Sequence, residues 1–130
     1  MCAISFNYKL KASIKIWDVI NGKLIRTLNS TTGGHSNDIK ALYSSEQGWF
    51  ASASSDYTVK IWNKQTYSLM YTFDSSNGGH INEVWTLSGL YDNILVSGAL
   101  DYSVKVWNIT VGNLIYTFDS SNGGHQVFIS

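Results

Sequence analysis

Short runs in which every second residue is apolar alternate along the whole chain with clusters of Ser, Asn, Asp and Gly. In Thr58 to Trp62, Val59 and Ile61 fall on one face, and Thr58, Lys60 and Trp62 on the other. A period of two, filled with β-branched and aromatic residues, predicts a strand. The same reading predicts strands over Asp38 to Tyr43, Gly48 to Ala53, Thr58 to Trp62 and Ser68 to Phe73. A second set follows over Glu83 to Ser88, Asn93 to Ser97, Ser103 to Trp107 and Asn113 to Phe118. No stretch carries a convincing amphipathic helix. Proline is absent, so the turns, such as Ser54 to Tyr57 and Lys64 to Thr66, fall to Gly, Asn, Asp and Ser.

The strands recur with a fixed step. DYTVKIWN (Asp56 to Asn63) returns as DYSVKVWN (Asp101 to Asn108) and, in weaker form, precedes them as KASIKIWD (Lys11 to Asp18). Trp17, Trp62 and Trp107 are each 45 residues apart, and so are Gly34-His35, Gly79-His80 and Gly124-His125. YTFDSSNGGH occurs word for word at 71–80 and 116–125, which points to internal duplication. A period of this size means a solenoid, propeller or similar array. Four short antiparallel strands per unit, each unit too small to bury both faces alone, is the logic of a propeller blade.

At this point the chain resembles the tryptophan-aspartate (WD) repeat β-propeller family. The residues are the Gly-His pair before the first strand, the Asp in the turn before the third, and the Trp ending the third. Asp18 follows Trp17 and supplies the eponymous pair once, whereas the other copies read Trp62-Asn63 and Trp107-Asn108. The resemblance implies an all-β propeller segment of about three four-stranded antiparallel blades, too few for a closed ring. The units are 1–34 (partial), 35–79, 80–124 and, at 125–130, the truncated start of another, in one array over 1–130. The head departs from the pattern, with Lys11 where Asp56 and Asp101 stand and Asn7 where Ser52 and Ser97 stand. So does the tail, where Phe128 replaces Asp38 and Glu83.

His80, Ser97 and Asp101 are the components of a hydrolase triad, but the resemblance implies a different use. It implies a buried structural network in each of two blades, His35, Ser52, Asp56 and Trp62 in one and His80, Ser97, Asp101 and Trp107 in the other. Ser54 competes with Ser52 for its place. A catalytic site is normally made once, and this set occurs twice in register, so no catalytic residue is expected. Histidines on separate blades are too far apart to share a metal ion, and none is expected. No cofactor is expected either, since the Gly-Gly pairs lack the strand–loop–helix context and the Lys-Ser/Thr of a phosphate cradle.

Composition narrows the partners. Formal net charge is zero, which gives no support for nucleic acid or an anionic membrane as main partner. No apolar run reaches transmembrane length or makes a signal peptide. The single cysteine, Cys2, excludes an internal disulfide and agrees with an intracellular, cytoplasmic setting. In that setting Asn29-Ser30-Thr31 and Asn108-Ile109-Thr110 are chance matches to the glycosylation sequon. The expected function is a non-catalytic protein–protein interaction scaffold. Tyr57 and Tyr102 follow the turn Asp, where they form an exposed aromatic row or else pack across the turn. Ser55, Leu100, Asn37 and Asn82 are expected near the same end as contact residues. Trp49 and Trp85 are expected between blades.

Two other readings stand beside this one. A ligand-binding or enzymatic propeller would use the central channel, where Asp38, Lys40 and Glu83 are the charged residues of the first strands. A gene fragment would have no independent function. Residues 1–45 hold six basic and two acidic residues, net +4, whereas 91–130 hold one basic and three acidic, net −2. That asymmetry allows a head-to-tail homodimer, but Phe128 and the short tail spoil the closing strand, so the expectation is a fragment of a longer propeller, with the homodimer as the alternative.

Overall fold

The computed structural model describes residues 2–6 and 12–122, in three antiparallel sheets. The first holds β1 (Cys2–Phe6), β2 (Ile14–Asp18) and β3 (Lys23–Leu28), in that order. The second holds β4 (Ile39–Ser44), β5 (Trp49–Ser54), β6 (Val59–Asn63) and β7 (Leu69–Phe73). The third holds β8 (Val84–Gly89), β9 (Ile94–Ala99), β10 (Val104–Asn108) and β11 (Asn113–Phe118). Each sheet is a meander with the strands in sequence order, and β8 packs against β4 and β5 of the preceding sheet. These are the expected blades, with strand ends shifted by a residue or two. Lys11, His125 and the truncated unit at 125–130 lie outside the described residues.

Two cores fill the spaces between sheets. Ile14, Ile16 and Leu28 of the first blade meet Phe50 and Trp62 of the second. Val59, Ile61 and Phe73 of the second meet Leu95 and Trp107 of the third. The period of two in β6 therefore sends Val59 and Ile61 forward and Trp62 backward, as the alternation requires. Trp107 stacks on Phe73 with ring centroids 4.1 Å apart and planes 5° from parallel. Trp49 is buried as expected, and its indole N–H donates to Asn93 Oδ1 of the next blade at 2.8 Å.

The Trp-bearing strands β2, β6 and β10 shift register against their outer neighbours just before the Trp, leaving Ile25, Met70 and Ile115 as extra residues on β3, β7 and β11. All three are exposed. The inner strands shift too, at Lys40 in β4 and Trp85 in β8. A bulged residue leaves the ladder and is re-aimed, which corrects the expectation for Trp85. It is 46% exposed instead of packed between sheets, and Lys40 Nζ of the neighbouring blade lies 4.8 Å from its ring centroid.

The head corrects a second expectation. A strict step of 45 places Asn7 opposite Lys15, but the backbone pairs Ser5 with Lys15, as Ser52 pairs with Lys60 and Ser97 with Lys105. A strand moves by two without changing its faces, so β1 keeps its pattern.

The connections between blades use one device. In Asp74-Ser75-Ser76-Asn77-Gly78-Gly79, Asp74 caps a single 3₁₀ turn, accepting from the Ser76 amide while Asn77 Oδ1 accepts from the Asp74 amide. Gly78 sits at φ +87°, a left-handed conformation that favours glycine. Gly79 has no room for a side chain, since a Cβ would lie 2.5 Å from the Asp74 carbonyl oxygen. Asn29 and Gly33-Gly34 repeat the arrangement before β4.

Candidate partner-binding face

At the loop end of the second and third blades, a buried polar chain fixes the turn that carries each tyrosine. His35 Nε2 lies 2.7 Å from Ser52 Oγ, and Nδ1 lies 2.9 Å from Asp56 Oδ2. The Trp62 indole N–H donates to the same Ser52 Oγ at 2.9 Å. His80, Ser97, Asp101 and Trp107 repeat these contacts at 2.9 Å each. One tautomer satisfies every group: Nδ1–H donates to the carboxylate, the serine hydroxyl donates to Nε2, and the serine oxygen accepts from the indole. Ser54 is not the network serine; its hydroxyl donates to the Asn37 carbonyl at 3.0 Å.

Each network also holds a hydroxyl that sequence reasoning missed. The Thr58 hydroxyl donates to Asp56 Oδ1 at 2.6 Å and lies 3.1 Å from His35 Nδ1; Ser103 does the same with Asp101 and His80. The signal was legible, since a hydroxyl residue stands two places after the turn Asp in both copies. Burial by itself would raise both Asp carboxyls. Hydrogen bonds from His35, Thr58 and the Ser36 amide nevertheless hold Asp56 well below the usual carboxylate range, and those from His80, Ser103 and the Ile81 amide do so for Asp101. Lys60 and Lys105 are drawn down by burial, an effect that the nearby Asp56 and Asp74, or Asp101 and Asp119, oppose.

The serine–histidine–aspartate order matches that of a hydrolase, but Ser52 and Ser97 are fully buried and their oxygens already accept from tryptophan. Neither hydroxyl is open to solvent, and the contacts tie the turn to the strands. Among the described residues no group of three or more His, Cys, Asp or Glu is placed to hold a metal ion. Among them, too, no helix is long and apolar enough to cross a membrane.

The turn held this way is strained. Tyr57 and Tyr102 have φ of +75° and +62°, in a region that a bulky residue rarely adopts. They are 48% and 56% exposed, so of the two alternatives left open by the sequence the geometry has them face solvent. Leu100 and Asn37 are also exposed there, and Asn82 is half-buried. Ser55 corrects the expectation: it is buried, and its amide donates to the Asp38 carbonyl, which ties the turn to the entry loop. The sequence reading also missed Ile81, which is 72% exposed and helps line a groove of about 280 Å³ between the two blades, with Tyr57, Asp56 and Asp74 opposite.

Comparison with known proteins agrees with this architecture. The family model described as "WD domain, G-beta repeat" matches residues 22–63 and 68–108. Among solved structures, U3-55K is 27% identical with a TM-score of 0.79, over 91% of this chain and 36% of that one. The WD40 repeats of RRP9 are 27% identical with a TM-score of 0.80, over 91% and 35%. The computationally designed Ika4 protein is 31% identical with a TM-score of 0.77, over 96% and 68%. The chain thus spans about a third of the length of the first two. Among curated proteins none matches the sequence.

Proposed function

Because this chain belongs to the WD-repeat family, whose domains generally mediate protein–protein interactions, we propose that it is a non-catalytic scaffold whose loop end docks a protein partner. The observation that carries this reading is the pair Tyr57 and Tyr102. Two successive blades hold an exposed tyrosine in a left-handed conformation, each on a turn anchored by a half-buried Asp. A solvated turn with no further role is better served by Gly or Asn, and strain of this kind persists where a site uses it. Tyrosine is also enriched among residues that dominate binding energy. Ile81, Leu100 and Trp85 add apolar surface nearby, and Asn37 and Asn82 supply a polar rim.

The charged residues of the inner strands support this reading over a channel enzyme. Asp38 lies 3.9 Å from Lys40, Lys40 lies over Trp85, and the Trp85 indole donates to Glu83. The three charges are thus engaged with one another's neighbours. The test replaces both tyrosines with Asn, which accepts the left-handed conformation. The double variant Tyr57→Asn, Tyr102→Asn is expected to unfold at the same or higher urea concentration while losing the proteins that the immobilised wild-type chain retains. Retention of the same proteins by the variant overturns the assignment.

A further inference from the structure

The contacts between blades repeat at positions 45 residues apart, and this shows what the outer face of the third blade is shaped to receive. At the junction of the second and third blades, the Tyr71 ring rests on Gly112, where a Cβ would come within 2.2 Å of it. Beside it, Phe73 stacks on Trp107. At the junction of the first and second blades, the same positions hold a different pair: the Arg26 guanidinium lies 5.6 Å from the Tyr67 ring centroid and donates to the Thr66 carbonyl. Two solutions therefore exist for one contact, tyrosine on glycine or arginine on tyrosine. At the outer face of the third blade the residue is Tyr116, and at the corresponding position of the first blade it is Gly22. The two ends carry the matching halves of the tyrosine-on-glycine solution.

The face is also formed in advance. Tyr116 and Phe118 stack at 5.9 Å, as Tyr71 and Phe73 do at 6.0 Å. Yet Phe118 is 47% exposed where Phe73 is 1% exposed, and Tyr116 is 62% exposed. At the other end Trp17 is half-buried, whereas Trp62 and Trp107 are fully buried, and a Cβ built on Gly22 meets nothing within 4 Å. We propose that the outer face of the third blade is covered by the first blade of a second copy of this chain, with Tyr116 on Gly22 and Phe118 against Trp17.

Blade number selects a closed pair. Propellers hold about four to eight blades. One copy supplies about three, two supply about six and three supply about nine, so only two copies fall inside the range. Head-to-tail association closes when the rotation completes a ring, and two such contacts then form at once. The charge of +4 on residues 1–45 and −2 on 91–130 favours the same pairing.

Sedimentation equilibrium of the 130-residue chain tests this. The expected mass is twice the 14.5 kDa of one chain. Gly22→Tyr blocks the seat of Tyr116, and Tyr67 already occupies the corresponding position at φ +60°, so the backbone accepts it. Overpacking of this kind is expected to raise the dissociation constant about tenfold at each contact, roughly a hundredfold for the ring. Adding Tyr116→Arg copies the Arg26–Tyr67 pair and is expected to restore the dimer. If Gly22→Tyr unfolds the chain, Phe118→Ala on the exposed face is read instead, and an unchanged dissociation constant overturns the proposal. So does a monomeric wild-type chain, including one in which residues 123–130 cover the face, or an open series of larger species. So does a Gly22→Tyr variant that is folded and as dimeric as the wild type.

Discussion

Asp101→Ala removes an acceptor on which four donors converge: His80 Nδ1 at 2.9 Å, the Ile81 amide at 3.1 Å, the Ser103 amide at 3.0 Å and the Ser103 hydroxyl at 2.6 Å. Ile81 is exposed, so its amide turns to water. His80 and Ser103 are buried, and their groups are left without the carboxylate. Each buried group left unsatisfied costs about 1–3 kcal/mol. Some relaxation and water entry reduce the sum, so a loss of about 2–4 kcal/mol is expected. That is a large share of the roughly 5–15 kcal/mol that holds a domain together. Urea unfolding should show a lower midpoint with the slope unchanged. Asp119→Ala is the control. Asp119 also accepts from an amide and a hydroxyl, both of Ser121, but in an exposed turn, and its loss should leave the midpoint where it was. Equal shifts in the two variants would refute the reasoning, because the burial of the bonds would then make no difference.

Two further outcomes follow from the same geometry. Asp56 and Asp101 have lowered pKa values in the fold, so the stability they contribute is complete above the unfolded carboxylate value of about 4 and is lost as pH falls below it. The urea midpoint should be level above about pH 5 and drop below about pH 4, and Asp101→Asn should flatten that drop; a midpoint independent of pH in acid would count against ionised network carboxylates. Gly79→Ala forces a Cβ to within 2.5 Å of the Asp74 carbonyl oxygen, and is expected to cost about 1–3 kcal/mol by urea unfolding. A neutral result there would mean that the connection between blades shifts freely.

The strands, the repeat and the family were legible in the sequence because each depends on local spacing. A period of two places Val59 and Ile61 on one face and Trp62 on the other whatever the sheet packs against. The step of 45 then sets His80, Ser97, Asp101 and Trp107 in the places of His35, Ser52, Asp56 and Trp62, and the hydrogen bonds join the residues that the register brings together. What the sequence left open depends on contacts between distant segments. Ser52 and Ser54 are two residues apart on the same face of one strand, and only the position of His35 against that strand decides between them. Trp85 alternates correctly for a packed residue, but a register shift between β8 and β9 turns it out to Lys40. Ser55 and Leu100 hold the same place in their blades, and one is buried while the other is exposed. In each case side-chain type and spacing set what a residue can do, whereas burial and bonding partners are properties of the assembled sheets. Local alternation thus determined the blades, and only the packing of one blade on the next decided which of their residues face solvent.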